Sequence, residues 1–127
     1  MPPCYVKKDT SPTYQRSLDR LKRQFPHIEE DIEGILVDIA QDHRNARNAE
    51  SIMRFGGKLF KYRAPCSDQA RGSRGGFRVC GYYDEPTNTL HLILVWPKSE
   101  AEDLDYESKN KAVQELLQII SAKTHNP

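Results

Sequence analysis

The sequence predicts an α+β domain in which an N-terminal strand and two helices precede an antiparallel sheet of three further strands and a C-terminal helix. Apolar residues recur at helical spacing before residue 45 and after residue 105. Between these segments the pattern changes to short strand-like runs separated by Gly, Pro and Asn. The 127 residues are the length of one ordinary domain. We therefore predict a single domain over residues 1–127.

The N-terminal part reads as a strand followed by two helices. Residues 4–7 form a short apolar run, and Ser11 followed by Pro12 is typical of a helix start. We expect this helix to reach Phe25, because one apolar stripe includes Leu18, Leu21 and Phe25. A second helix should follow Pro26 and end near Asp42, with acidic residues in its first turns, where the helix dipole favours them.

The C-terminal part reads as three strands and a helix. Residues 45–57 are predicted to be a loop with one helical turn. Strands are predicted over residues 59–64, 77–83 and 90–96, and a final helix over residues 106–123. The strand over 90–96 is apolar on both faces, which suits a central strand covered on both sides. For the helices as a group, we expect packing on one side of the sheet.

The charges are unevenly distributed along a nearly neutral chain. The net charge is +1, so the overall balance gives no indication of a nucleic-acid partner. Seven basic residues nevertheless lie between positions 54 and 78, accompanied by one acidic residue, Asp68: Arg54, Lys58, Lys61, Arg63, Arg71, Arg74 and Arg78. The chain therefore contains a basic strand–loop–strand unit.

Strand geometry brings part of this charge together. Lys61 and Arg63 are two residues apart and project from one face of their strand. If the next strand pairs with this one, Arg78 can join them in a patch able to bind phosphates, with Arg71 and Arg74 at its rim. A solvated polar face with scattered surface ion pairs is the alternative interpretation. The glycines of residues 72–76 are typical of a turn, since no P-loop pattern is present.

Several classes of protein are excluded by what the sequence lacks. The three cysteines have no CxxC or Cys/His ligand spacing, so neither a disulfide framework nor a metal site is expected. We also expect no cofactor. No apolar run is long enough to span a membrane, and the N-terminus has no secretory pattern. A cytoplasmic location is the resulting expectation.

Several motifs follow one another in a distinctive order: Phe60-Lys61-Tyr62-Arg63, a Gly-rich basic loop, Gly75-Gly76-Phe77-Arg78-Val79, the aromatic pair Tyr82-Tyr83, an apolar strand, and Lys98-Ser99 followed by acidic residues. This order resembles the RelE/ParE superfamily of bacterial toxins, and in particular its RelE/HigB-like branch. It implies a compact RelE-like fold and the toxin of a type II toxin–antitoxin system. The implied activity is metal-independent, ribosome-dependent cleavage of messenger RNA by its own 2′-hydroxyl. The implied partners are the ribosome, mRNA and a cognate antitoxin, usually a DNA-binding protein.

The resemblance also implies roles for individual residues. The catalytic set would be Lys61, Arg63, Arg78, Lys98 and Tyr106. The match at Lys98 is imperfect, because Ser99 stands where some members have arginine, and the register at Tyr106 slips by about one residue. Further RNA contacts are expected from Lys58, Arg71, Arg74 and Tyr82.

Other interpretations remain open at the level of sequence. A ParE-type inhibitor of DNA gyrase would share the fold without the nuclease activity. A non-catalytic module that binds RNA or protein would use the basic patch for binding alone. His91 has the chemistry of a general acid or base, although a single strand histidine is more often structural. Cys80 has the chemistry of a nucleophile, although no His/Cys dyad is apparent.

Overall fold

The computed structural model describes residues 3–68 and 75–125, which form three α-helices and a five-stranded mixed sheet. The elements in chain order are β1 (Tyr5–Lys7), α1 (Pro12–Leu21), α2 (Ile28–Gln41), β2 (Glu50–Ser51), β3 (Leu59–Ala64), β4 (Phe77–Asp84), β5 (Thr89–Pro97) and α3 (Tyr106–His125). The strand order across the sheet is β1-β5-β4-β3-β2. The predicted α+β class and the sequence of main elements are confirmed.

Local sequence explains where the helices begin. Ser11 caps α1, its hydroxyl oxygen accepting a hydrogen bond from the Tyr14 amide at 3.2 Å, and Pro12 occupies the first helical position. The helix ends at Leu21 rather than Phe25, and a turn then carries the buried Phe25 ring back to the core. Acidic residues fill the first turn of α2, as predicted.

The sheet is antiparallel except at one edge. β1 pairs in parallel with β5, with Tyr5 opposite Thr89, while β2 to β5 are joined by antiparallel ladders. Two features were not predicted from the sequence. The two-residue strand β2 lies within the predicted loop, and the parallel pairing of β1 makes the sheet mixed.

The helices cover both faces of the sheet, so the expectation that they pack on one side is wrong. α1 and α2 cover one face, packing buried residues such as Leu21, Ile35 and Ile39 against the apolar side of β3 to β5. α3 covers the other face through Ala112, Val113 and Leu116. The reason is the composition of β5, which is buried along its whole length and therefore needs an apolar cover on each side.

Candidate nucleic-acid interface

Arg63 and Arg78 stand directly opposite each other on β3 and β4. Both side chains project from the same face of the sheet as Cys80, the face that α3 covers away from this end of the strands. The two arginines, together with Lys98, help to line a cleft of about 450 Å³ at the end of the sheet where β3 ends and β4 begins. The two strands pair as expected from the sequence, but of the three cations expected to converge, Lys61 does not line this cleft.

Arg78 is the buried member of this pair. Arg78 is only 3% exposed, and its Nη1 donates hydrogen bonds to the carbonyl oxygens of Gly75 and Phe77, each at 3.3 Å. Burial lowers the pKa of the guanidinium, and the charge of Arg63 lowers it further. Among the described residues neither arginine forms an ion pair with a carboxylate. The cleft therefore holds two adjacent cations that an anion can neutralise.

A glycine fixes the backbone beside Arg78. Gly76 has φ of +59°, and a Cβ at this position would lie 2.3 Å from the carbonyl oxygen of Ala64. Its own carbonyl accepts a hydrogen bond from the Lys98 amide at 3.1 Å. Only glycine allows the entry to β4 to approach the end of β3 this closely. Gly76 thus positions Arg78 and the backbone of Lys98 together.

Arg47 also lines the cleft and was not identified from the sequence. It lies in a 3₁₀ turn, and both Arg47 and Asn48 have φ values in the left-handed region, 52° and 54°. Its Nε donates to the carbonyl oxygen of Arg63 at 3.4 Å, and its Nη1 lies 3.8 Å from an Asp38 carboxylate oxygen. The Asn-rich sequence around it is a signal for a turn, but nothing in it indicates which strand the turn meets.

Lys61 shares the sheet face of the two arginines but has partners of its own. The Nζ lies 3.5 Å from Glu50 Oε2 and 3.9 Å from Asp103 Oδ1, and the side chain is 10% exposed. It is not among the residues lining the arginine cleft. The structure therefore places Lys61 beside the cleft as one member of a buried ion-pair cluster.

The remaining predicted catalytic residues lie at two places. Lys98 lines the cleft, with its Nζ 4.0 Å from a Glu102 carboxylate oxygen. Tyr106, at the start of α3, stacks on Phe55 with ring centroids 5.5 Å apart, and the guanidinium of Arg54 lies 5.3 Å from its ring centroid. Tyr106 is 44% exposed, so part of its ring is open to solvent.

The two predicted RNA-binding residues that the structure describes, Lys58 and Tyr82, do not line the cleft. Lys58 immediately precedes β3 and Tyr82 is opposite Leu59, at the end of the strand remote from Arg63. At about 3.3 Å per residue, the separation from Arg63 along the strand is about 17 Å for Lys58 and about 13 Å for Tyr82. Tyr82 is 9% exposed and packs in the core beneath α3, an arrangement that disfavours stacking on a base. Arg71 and Arg74 lie outside the described residues.

His91 and Cys80 are both buried in structural positions. His91 Nδ1 is 2.9 Å from the Thr10 hydroxyl, and burial lowers the pKa of the imidazole. Cys80 packs in the core beneath α3, and burial raises the pKa of its thiol to about 12. A thiol in that state is not a nucleophile at neutral pH.

One group of metal-binding atom types comes together away from the cleft. Asp31 of α2 lies beside Cys66 and Asp68, with candidate ligand atoms within 4.8 Å of one another. Their carboxylates already accept hydrogen bonds, Asp31 from the backbone and hydroxyl of Ser67, and Asp68 from the backbone and imidazole of His27. The cluster therefore fastens the segment after β3 to the start of α2. Sequence spacing gave no signal for it.

The element order and sheet topology define a small α+β protein with a RelE-like fold, and in this chain Arg63 and Arg78 lie at one end of the sheet. A solved structure with this fold is that of the E. coli toxin RelE, determined in the free state as a double arginine-to-alanine mutant. It superposes with a TM-score of 0.50 at 15% sequence identity, covering 91% of this chain and 96% of RelE. No protein-family model and no curated protein sequence matches the chain.

The likeness to RelE is therefore one of fold. In the part of the chain that the structure describes, no helix has the length and apolar character needed to cross a bilayer.

Proposed function

We propose that this protein is the toxin of a type II toxin–antitoxin system that cleaves messenger RNA on the ribosome. The observation that carries the proposal is the pair formed by Arg63 and Arg78. The two residues are directly opposite each other on β3 and β4, line one cleft, and form no ion pair with a carboxylate among the described residues. Placing two like charges side by side is unfavourable in a sheet unless an anion binds between them.

The chemistry assigned to the cleft is stabilisation of a phosphorane-like transition state. The 2′-hydroxyl oxygen of the RNA attacks the adjacent phosphorus as its proton passes to solvent water. The bond from phosphorus to the leaving 5′-oxygen breaks, and this oxygen takes up a proton from water, giving a cyclic phosphate and a 5′-hydroxyl. Negative charge accumulates on the equatorial phosphate oxygens during this step. Arg63 and Arg78 remain protonated at working pH and can each donate several hydrogen bonds to these oxygens.

The neighbouring residues are assigned to positioning the RNA. Arg47 and Lys98 line the same cleft and extend its positive charge. Lys61 has two carboxylate neighbours, so we assign it to binding the RNA as a cation rather than to removing a proton. Tyr106 has part of its ring exposed and can stack on a base.

The proposed dependence on the ribosome is supported by the absence of a group that titrates near working pH among the residues assigned to the cleft. General acid–base catalysis contributes about 10²–10⁴-fold when a group titrates near working pH, and the arginines do not. A catalyst built mainly on charge stabilisation gains most when another structure holds the mRNA in an attacking geometry. We propose that the ribosome supplies this orientation. By the same proposal, a cognate antitoxin holds the protein inactive in the cytoplasm.

Programmed ribosomes provide the direct test. The wild-type protein should cleave the mRNA bound to the ribosome, whereas Arg63→Ala and Arg78→Ala should reduce the rate by about 10²–10³-fold each. Arg23→Ala is the matched control, since Arg23 is exposed in the turn after α1 and does not line the cleft. Melting curves establish that each variant is folded.

Two results would replace this proposal with an alternative. Inhibition of DNA supercoiling with intact mRNA would identify a ParE-type gyrase inhibitor. Binding of RNA that is weakened by Arg78→Ala, with no cleavage by any variant, would identify a non-catalytic binding module.

A further inference from the structure

Two buried lysines share one carboxylate next to the arginine cleft. Lys61 on β3 and Lys109 on α3 are 9% and 6% exposed. Asp103 lies between them, with Oδ2 at 3.0 Å from the Lys109 Nζ and Oδ1 at 3.9 Å from the Lys61 Nζ. The charges of Lys109, Asp103 and Lys61 all act on the pKa of the buried Cys80 thiol. The cluster is therefore a compact site in which two cations share the Asp103 carboxylate, with Glu50 as a further neighbour of Lys61 at 3.5 Å.

The two lysines of this cluster lie on regular secondary structure, whereas the aspartate lies in an irregular segment. Lys61 projects from a sheet strand and Lys109 from a twenty-residue helix. The Asp103 side chain is 46% exposed and belongs to residues 98–105, which form no helix or strand. Buried ammonium groups need a counter-ion, because an unpaired charge in that environment is costly. Lys61 has Glu50 as a second partner, whereas Asp103 is the one ion-pair partner that the described residues give Lys109.

A carboxylate that bridges two lysines through both oxygens occupies the place of a phosphate group. Lys61 is two residues before Arg63 on β3, which is about 6.6 Å along the strand. This distance is of the order of one nucleotide step along an extended RNA chain. When an RNA chain binds with one phosphate between Arg63 and Arg78, the next phosphate along the chain therefore lies near the lysine pair.

We propose that Lys61 and Lys109 form a second phosphate-binding site for the RNA backbone, which Asp103 occupies in the free protein. The proposal rests on the proposed function and extends it by one binding residue, Lys109, and one competing residue, Asp103. RNA binds by displacing the Asp103 carboxylate, and the exposed segment that carries it moves away with it. The free protein thereby holds its buried lysines neutralised until the polyanion arrives.

Binding of a single-stranded RNA with 2′-O-methyl riboses, which cannot be cleaved, tests this site in the full-length chain by fluorescence anisotropy. Asp103→Asn removes the competing charge and should tighten binding about two- to five-fold. Lys109→Met should weaken binding and reduce the slope of log K against log salt by about 0.7, the value for one phosphate contact on a single strand. Lys111→Met is the matched control, because Lys111 is exposed on the same helix, and it should leave both quantities unchanged.

Inorganic phosphate provides a second measurement that does not depend on RNA. Without Asp103 the lysine pair lacks its bridging anion, so Asp103→Asn should melt at a lower temperature than the wild type in buffer free of phosphate. Added phosphate should then raise the melting temperature of Asp103→Asn by more than that of the wild type. If this variant fails to fold, the ¹⁵N-labelled ammonium of Lys109 in the wild-type chain should shift on adding RNA while that of Lys111 does not.

The outcomes separate this inference from the proposed function. If the wild type cleaves mRNA but Asp103→Asn and Lys109→Met bind RNA as Lys111→Met does, the lysine site is rejected and the nuclease stands. A melting temperature of Asp103→Asn that is indifferent to phosphate also rejects the lysine site. Failure of the wild type to bind RNA or to cleave mRNA overturns both.

Discussion

Removing the charge of Arg63 is expected to stabilise the fold while it reduces the proposed activity. Arg63 and Arg78 are directly opposed across an antiparallel ladder, and like charges at such positions are destabilising by about 0.2–1 kcal/mol. Arg78 is buried, and its depressed pKa reflects both the burial and the neighbouring charge. Arg63→Gln removes the repulsion without creating a cavity, because Arg63 is exposed.

The magnitude follows from the length of the chain. An unfolding entropy of about 2.1 cal/mol/K per residue gives about 270 cal/mol/K for 127 residues. A gain of about 0.2–1 kcal/mol therefore corresponds to an increase of about 1–4 °C in melting temperature. Loss of one charge-stabilising donor should at the same time slow cleavage by about 10²–10³-fold. Stability and activity thus change in opposite directions.

Salt separates repulsion from other causes of stabilisation. Melting temperatures of wild type, Arg63→Gln and the exposed control Arg23→Gln would be measured at about 0.01 M and about 1 M salt, where the Debye length is roughly 30 Å and 3 Å. The advantage of Arg63→Gln should be largest at low salt and should shrink at high salt. A lower melting temperature for Arg63→Gln than for the control at low salt would show that the arginine pair carries no repulsion, and the argument for an anion site between them would fail.

Three further predictions concern the framework of the site. Asp68→Asn should return the raised pKa of His27 towards its ordinary value, as measured by an NMR titration. In the wild type the His27–Asp68 pair stabilises the fold only at pH values between the two pKa values. The stabilisation is lost as pH falls through the lowered pKa of Asp68 or rises through the raised pKa of His27. Tyr62→Phe should lower the free energy of unfolding in urea by about 1–2 kcal/mol, because the hydroxyl donates a 2.6 Å hydrogen bond to the buried carbonyl of His43. An unchanged urea midpoint would contradict this. Gly76→Ala should destabilise the fold by more than about 1 kcal/mol and reduce cleavage, since both its positive φ and the carbonyl at the end of β3 exclude a Cβ; wild-type stability would show that the backbone there can move aside.

Sequence periodicity was sufficient to predict the main elements. The bounds of β3 agree with the prediction residue for residue, because a run of alternating side chains is enclosed between Gly57 and Pro65. The start of α1 at Ser11 and Pro12 is equally local, since capping depends on residues that are adjacent in the chain. The strand β2 was missed because two residues are too few to show a period.

The position of α3 shows how a general packing rule overrode a more specific observation. The apolar residues on both faces of β5 already indicated that each face of the sheet needs a cover. The prediction that all helices pack on one side of the sheet did not take account of this pattern. The structure has a second core beneath α3 on the other side.

The site was predictable where it depends on strand register and not where it depends on tertiary contacts. Arg63 and Arg78 could be placed together because their two strands follow one another in the chain and were expected to pair. Arg47 reaches the cleft through a left-handed turn that no periodicity reveals. The carboxylate partners of Lys61 come from β2 and from the segment before α3, both distant in the chain, so its ion pairs could not be anticipated.

The parallel pairing of β1 with β5 determines the order in which the chain can assemble during synthesis. Tyr5 is opposite Thr89, so the first strand has no sheet partner until more than eighty further residues have been made. The hairpin of β3 and β4 joins positions much closer in sequence and can form earlier. A nascent chain can therefore bring its two arginines together before the sheet around them is closed. Chains that terminate before residue 89 lack β5, the strand on which α1 packs, so the apolar side of α1 stays exposed, which favours aggregation and degradation.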